Sequence, residues 1–112
     1  PSFNEDPGMK EWRAFMAKYL PGADLSNVTY VYGYNASKAM EQVLKQCNGD
    51  FSRTNVLRQA ENLHDFEVHT LLPGIKLNTS PTDHRPIKGL QLQRWDGRTW
   101  VRFGEVIEGV SA

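Results

Sequence analysis

A chain of 112 residues is long enough for one domain with a modest hydrophobic core. Thirteen basic residues balance thirteen acidic ones and are scattered along the chain. Since nucleic-acid binding needs a basic face that displaces counterions from phosphate, this balance excludes that class of function. The apolar runs are too short for a membrane-spanning segment, and the single cysteine, Cys47, excludes a disulfide within the chain.

The first predicted helix covers residues 7–20. Pro7 suits the first turn, where its missing N–H costs nothing, and Pro21-Gly22 ends the helix. Its apolar stripe recurs at spacings of three and four and consists of Trp12, Phe15, Met16 and Tyr19.

A second helix is predicted from about Tyr30 to Cys47, and a third from about Ser52 to Leu63. Gly49 suits the left-handed residue after the second helix, and Ser52 suits the N-cap of the third. The second stripe contains Ala36, Met40, Val43, Leu44 and Cys47. On the third helix the residues predicted to face inward are Val56, Leu57, Ala60 and Leu63.

After the third predicted helix, apolar and polar residues alternate with a period of two, which is typical of strands. The run "GIKLNTS" predicts a short strand with Ile75 and Leu77 on one side. The run "LQLQRWDGRTWVRF" predicts a hairpin with a two-residue Asp96-Gly97 turn. That turn pairs Leu92 with Val101 and Leu90 with Phe103 on one face. The opposite face carries Gln91, Gln93, Trp95, Trp100 and Arg102.

Three helices therefore precede nearly all of the strand signal. A few short strands cover little area, so we expect apolar helix surface to remain uncovered. The chain then either oligomerises or belongs to a larger protein. It begins at Pro1 without a methionine, as expected of a mature or trimmed product or of a piece of something longer.

The chain contains no evident catalytic constellation. Cys47 lies in a helix stripe, so we expect a buried thiol acting as a small hydrophobe rather than a nucleophile. His64, His69 and His84 lack metal-ligand spacing. Trp95 and Trp100 are expected on the outer face of the hairpin, either as an exposed patch or as packing for another element.

One short stretch, "TYVYGYNASKAM" (residues 29–40), places three tyrosines within five residues at the start of a helix. Periodicity leaves two interpretations open, a binding surface or the packing of this helix on its neighbours.

Four motifs occur in a specific order. They are "GYNA" (Gly33 to Ala36), a junction with Leu44, Cys47, Asp50, Ser52, Arg53, Asn55 and Val56, "LLPGIKLNTSPTD" (Leu71 to Asp83) and "QLQRWDGRTW" (Gln91 to Trp100). In this order the chain resembles the carboxy-terminal third of periplasmic substrate-binding proteins of ABC transporters, specifically the branched-chain amino acid receptor family. The resemblance extends over essentially the whole chain.

The resemblance implies an α/β type I periplasmic-binding-protein fold of which residues 1–112 form the carboxy-terminal segment. Lobe helices would occupy about 7–63 and hinge-proximal strands about 70–107. It implies a periplasmic, non-enzymatic receptor that needs no cofactor or metal. Such a receptor traps a small amino acid or organic or aromatic acid by lobe closure and delivers it to a membrane permease.

The resemblance also implies ligand-binding positions where the second helix begins. Val31, Tyr32 and Tyr34 are the residues carried over, with packing beside the hinge as their alternative role. Gly33 is expected at a close approach between this helix and the hinge. The family's groups for the ligand's carboxylate and ammonium come from the middle of its chain and have no counterpart here. The competing hypothesis is a freestanding α+β interaction module that associates through Trp95, Trp100 and uncovered helix surface, and the segment itself is expected to self-associate.

Overall fold

The structure, a computed structural model, describes residues 5–109, so residues 1–4 and 110–112 of the predicted segment lie outside it. Three helices precede four strands: α1 Pro7–Tyr19, α2 Val28–Gln46, α3 Arg53–Ala60, β1 Phe66–Glu67, β2 Lys76–Leu77, β3 Gly89–Trp95 and β4 Trp100–Glu108. The strands form two antiparallel pairs, β1 with β2 and β3 with β4. The architecture is therefore mixed α and β, with three helices and two small antiparallel sheets.

The helix ends follow local capping chemistry. Pro7 lies in the first turn of α1, and the Ser52 hydroxyl accepts the N–H of Asn55 at 3.4 Å, which confirms Ser52 as the N-cap of α3. α2 begins earlier than predicted because the Asn27 side chain accepts the N–H of Thr29 at 3.0 Å. Gly49 has the predicted left-handed backbone, with φ 89°. α3 ends at Ala60, short of the predicted Leu63.

The hydrophobic core joins α2 and α3 to the first small sheet. Its buried members are Val43, Leu63, Val68 and Leu77, and Ala39, Val56, Ala60, Phe66 and Leu71 pack against them. α1 lies against the chain that leads from this core, since a Cβ added to Gly8 would be 1.6 Å from the carbonyl oxygen of His69. That close approach requires glycine.

Much apolar helix surface remains uncovered, as the sequence predicts. Leu57 was predicted to face inward, and this prediction is wrong because its side chain is exposed. The helix it belongs to is short and covered on one side only. The α2 stripe is buried only at Val43 and Cys47, whereas Met40 and Leu44 are exposed.

The first sheet contains a strand that the sequence analysis did not predict. β1 is only Phe66–Glu67, and it pairs Phe66 with Leu77 and Glu67 with Lys76 of β2. Ile75 and Leu77 are buried on one side, as predicted. Thr79 ties this sheet to α3, because its hydroxyl accepts the N–H of Leu63 at 2.9 Å and donates to the carbonyl of Ala60 at 2.7 Å.

The hairpin forms with a different turn and register from those predicted. Trp95 pairs with Trp100 and Leu92 with Phe103, so the loop contains four residues, 96–99. The Asp96 carboxylate accepts the N–H groups of Arg98 at 2.8 Å and Thr99 at 2.7 Å, which favours this wider turn over the two-residue one. Since the register moves by two residues, Leu92, Val101 and Phe103 keep the shared face that was predicted.

In residues 5–109, every helix falls short of the length and apolarity that crossing a bilayer requires.

Candidate ligand groove on helix α2

An apolar groove of about 530 Å³ runs along one face of α2. The helix contributes Val28, Val31, Tyr32, Asn35, Ala36 and Ala39, and the opposite wall comes from the chain around Leu71 and from Pro86-Ile87. We call this feature the α2 groove. It is continuous with the core, because Ala39, Val68, Leu71 and Leu77 belong to both.

The groove wall contains one polar pair. The Thr70 hydroxyl donates a hydrogen bond to the Asn35 side-chain oxygen, and both side chains are half-buried. The other side chains that line the groove are apolar apart from the Tyr32 hydroxyl, and none is charged. The arrangement can therefore hold an apolar molecule and offer it few, fixed polar contacts.

The three site residues named from the sequence separate into two groups. Val31 and Tyr32 line the α2 groove, and the Tyr32 side chain is 73% exposed at its rim. Tyr34 instead packs on α1: its ring lies 5.1 Å from that of Phe15, and its hydroxyl is 3.4 Å from Glu11 Oε1. Burial is the main reason that the pKa of Tyr34 is raised above its ordinary value. The run of tyrosines thus serves both a groove and a helix–helix contact.

Gly33 lies apart from both groups. A Cβ added there would meet nothing within 4 Å. The predicted close approach at Gly33 is therefore wrong for residues 5–109. At Gly8, at the start of α1, the backbone of His69 does approach this closely.

The cysteine and two of the histidines considered from the sequence lie in packing or ion-pair contacts. Cys47 is buried at the end of α2, as predicted. His69 lies 3.2 Å from Glu11 and His84 3.1 Å from Glu61, both pairs at the surface. No group of three or more His, Cys, Asp or Glu side chains in the described range is arranged to hold a metal ion.

A charged cluster that the sequence analysis did not identify fixes the loop before the hairpin. Asp83 accepts hydrogen bonds from the side chain and backbone N–H of Arg85, both of which hold the pKa of this carboxyl well below its usual range. Lys88 lies 3.2 Å from the same carboxylate. All three charged side chains have partners within the loop. The cluster therefore holds the backbone of this loop, which leads to Ile87, in a fixed conformation.

The hairpin carries a second exposed surface. The Trp95 and Trp100 rings lie 5.7 Å apart and tilted by 59°, and both are about half exposed. Their exposure within residues 5–109 agrees with both predicted alternatives, an exposed patch and packing for another element.

Residues on one wall of the groove were predicted from the sequence, and those on the opposite wall were not. Thr70, Leu71 and Ile87 are more than thirty positions from Val31 in the chain, so no local period connects them. The available signal was the run "HTLLPG" between two predicted elements, whose consecutive apolar residues are unusual in an exposed loop.

Comparisons of the chain with protein-family models, with curated proteins and with solved structures give no match in any of the three.

Proposed function

We propose that residues 1–112 form the carboxy-terminal part of a periplasmic solute receptor of an ABC transporter, of the branched-chain amino acid receptor family. The receptor binds a small amino acid or an organic or aromatic acid between two lobes and delivers it to the membrane permease. It acts by binding and lobe closure and catalyses no reaction.

The observation that carries the proposal is the uncovered apolar face of α2. Val28, Tyr32, Met40 and Leu44 are exposed along this helix, while Val43 is buried. A helix with apolar residues on this much of its circumference is typical of a layered α/β lobe, in which a sheet covers it. The two small sheets of this chain lack the area for that role. A larger parent fold of the type I periplasmic-binding-protein class supplies it.

The α2 groove adds a second line of support. Its rim contains Val31 and Tyr32, two of the positions that the family resemblance associates with the ligand cleft. In the proposed receptor, residues 7–63 contribute lobe helices, and the strands within 70–107 lie near the hinge.

The test is a binding measurement on the complete reading frame that contains these 112 residues. Calorimetric titration with leucine, phenylalanine and benzoate should reveal saturable binding of at least one small acid without its conversion. Tyr32→Ala should weaken that binding. Tyr19→Ala is the matched control, since Tyr19 is also exposed but lies outside the groove. A folded protein that binds no small acid, or that turns one over, would overturn the proposal.

A second candidate function is favoured by the Trp95–Trp100 pair. Two half-exposed tryptophans in mutual contact form a surface of the kind enriched in protein interfaces. As a freestanding interaction module, the chain would associate through this patch. Sedimentation of the 112-residue chain and of its Trp95→Ala variant distinguishes the two candidates. If association disappears with Trp95→Ala, the interaction module is favoured. If it persists, association occurs through uncovered helix surface, as expected of the receptor segment.

A further inference from the structure

We propose that Asn48 and Gly49 form a site of covalent modification, at which the Asn48 side chain loses ammonia and the residue becomes aspartate or isoaspartate. The reaction consumes water and needs no enzyme. It changes the turn that joins α2 to α3. The inference goes beyond the proposed receptor function and is independent of it, because neither residue lines the α2 groove.

The chemistry is a ring closure followed by hydrolysis. A base removes the proton from the backbone N–H of Gly49, and the nitrogen attacks Cγ of Asn48. The bond from Cγ to Nδ2 breaks, ammonia leaves, and a five-membered succinimide remains. Water then opens the ring. Cleavage between Cγ and the Gly49 nitrogen gives aspartate, and cleavage between the Asn48 carbonyl carbon and that nitrogen gives isoaspartate. Glycine favours the closure because it has no Cβ to hinder the attacking nitrogen.

The structure leaves both reacting groups accessible. Asn48 and Gly49 are exposed in the turn after α2, and a Cβ added to Gly49 would meet nothing within 4 Å. The N–H groups on either side are bonded, that of Asn48 to the Lys45 carbonyl at 3.3 Å and that of Asp50 to the Cys47 carbonyl at 3.0 Å. The Gly49 N–H has no acceptor among residues 5–109. The attacking nitrogen is therefore free of hydrogen bonds in this turn.

Asn48 differs from the other asparagines between residues 5 and 109. Each of the others makes a side-chain hydrogen bond that holds its amide in place. These residues are Asn27, Asn35, Asn55, Asn62 and Asn78. The Asn48 side chain has no protein partner in the same range, so no contact opposes the rotation that brings its Cγ to the Gly49 nitrogen.

The Asp96-Gly97 pair provides an internal comparison. An aspartate before a glycine can close the same ring with loss of water and reopen it as isoaspartate. The Asp96 carboxylate, however, accepts the N–H groups of Arg98 at 2.8 Å and Thr99 at 2.7 Å. These bonds hold the carboxylate in place, and they lower its pKa, which keeps it in the ionised form that a nucleophile attacks poorly. Folding should therefore protect Asp96 and leave Asn48 reactive.

The two products affect the turn differently. Aspartate keeps the backbone and tolerates the left-handed φ of 48°, but it places a negative charge at the C-terminal end of α2, which the helix dipole opposes. Isoaspartate carries the main chain through Cγ and lengthens it before Gly49. The hydrogen bond from Asp50 to Cys47 spans this position, and the Asn55 amide donates to the Asp50 carbonyl at 2.8 Å. Isoaspartate should therefore loosen the junction between α2 and α3.

Peptide mapping of the 112-residue chain after incubation in mildly alkaline buffer tests the site. Trypsin releases residues 46–53 as one peptide, in which fragment masses distinguish Asn48 from Gln46. Replacement of the amide by a carboxyl group should be faster at Asn48 than at any other asparagine. Its rate in the folded chain should lie within about threefold of the rate in guanidinium. Isomerisation of Asp96, seen as a split chromatographic peak, should be at least about tenfold slower in the folded chain than in guanidinium.

Asn48→Gly is the matched control, because glycine tolerates the positive φ and has no side chain to cyclise. Its peptide of residues 46–53 should keep its mass. The isoaspartyl form, separated by ion exchange, should melt at a lower temperature than Asn48→Asp, which carries the same charge on an unaltered backbone. Faster modification of another asparagine, or an Asn48 rate reduced by folding as strongly as that of Asp96, would overturn the proposal. Equal melting temperatures would overturn the expected effect on the α2–α3 junction.

Discussion

The helical body (α1 to β2) and the hairpin (β3 and β4) use similar residues with different results. In the body, apolar side chains converge, and Trp12 is only 1% exposed. In the hairpin, large apolar side chains occupy both faces of a two-stranded ribbon and remain exposed, among them Leu92, Phe103 and Trp100. An apolar residue stabilises a fold only where a second layer covers it.

The hairpin is therefore stabilised chiefly by its own backbone ladder and by a few ties to the body. Arg102 forms an ion pair with Asp6, and Gly89 packs close to Ile75. A two-stranded ribbon of this kind is only marginally stable by itself. Substitutions of the same residue type should thus differ in effect between covered and open positions, and four pairs test this difference in order of decreasing effect.

The largest difference is expected between two tryptophans. Trp12→Ala removes a fully buried side chain and should lower the free energy of unfolding by about 3–5 kcal/mol. Trp100→Ala removes a side chain that is 50% exposed and should cost less than about 1 kcal/mol. Chemical denaturation of both variants measures this. Equal losses would mean that the hairpin is covered in solution.

The next pair concerns close approach. Gly8→Ala forces the added Cβ against the backbone of His69 and should destabilise the body by about 1–3 kcal/mol or more. Gly33→Ala is the control: it lies within α2 in open space and should stabilise the helix by roughly 0.5–1 kcal/mol. Thermal unfolding followed by circular dichroism shows whether each variant is more or less stable than the natural chain. A stabilising Gly8→Ala would show that α1 does not pack on the His69 backbone.

The third pair compares two threonines. Thr79→Val keeps the shape of the side chain but leaves the Leu63 N–H without its acceptor, at an expected cost of about 1–3 kcal/mol. Thr99→Val, in the hairpin loop, should change stability by less than about 0.5 kcal/mol. Hydrogen exchange at the Leu63 amide provides a local measurement. Unchanged protection there in Thr79→Val would contradict the role of this hydroxyl.

The smallest effects are expected from two aspartates in acid, Asp83 and Asp96. The pKa values of Asp83 and Asp96 are both lowered, mainly by the Arg85 side chain and by the Thr99 backbone N–H respectively. A lowered folded-state pKa adds stability above the ordinary value of 3.8, and this stability is lost as the pH falls below it.

Asp83→Asn removes the charge that pairs with Arg85 and Lys88, so its melting temperature should fall less steeply below about pH 4 than that of the natural chain. Asp96→Asn keeps an oxygen that accepts the two loop N–H groups, so at neutral pH it should cost less than Asp83→Asn. Identical acid profiles for Asp83→Asn and the natural chain would show that the Asp83 pair contributes nothing.

Most of the correct predictions rest on interactions between residues that are close together in the sequence. Pro7 and Ser52 start helices, Gly49 follows one, and Ile75 and Leu77 share a buried side, because each depends on a few neighbouring residues. The hairpin register was wrong because two backbone hydrogen bonds to Asp96 widened the turn, and a dipeptide pattern does not reveal them. The strand at Phe66 was missed because two residues are too few to show a period.

For the candidate site, the sequence placed Val31 and Tyr32 near the start of the second helix, and only the family resemblance named them as ligand-binding positions. The sequence also determined that the chain has more apolar helix surface than its strands can cover. Only the tertiary structure decided that Tyr34 faces α1 and that Thr70, Leu71 and Ile87 close the groove. The physical reason is separation along the chain. Helix periodicity fixes which side chains share a face, but the partner of that face is chosen by packing between segments that no local pattern connects.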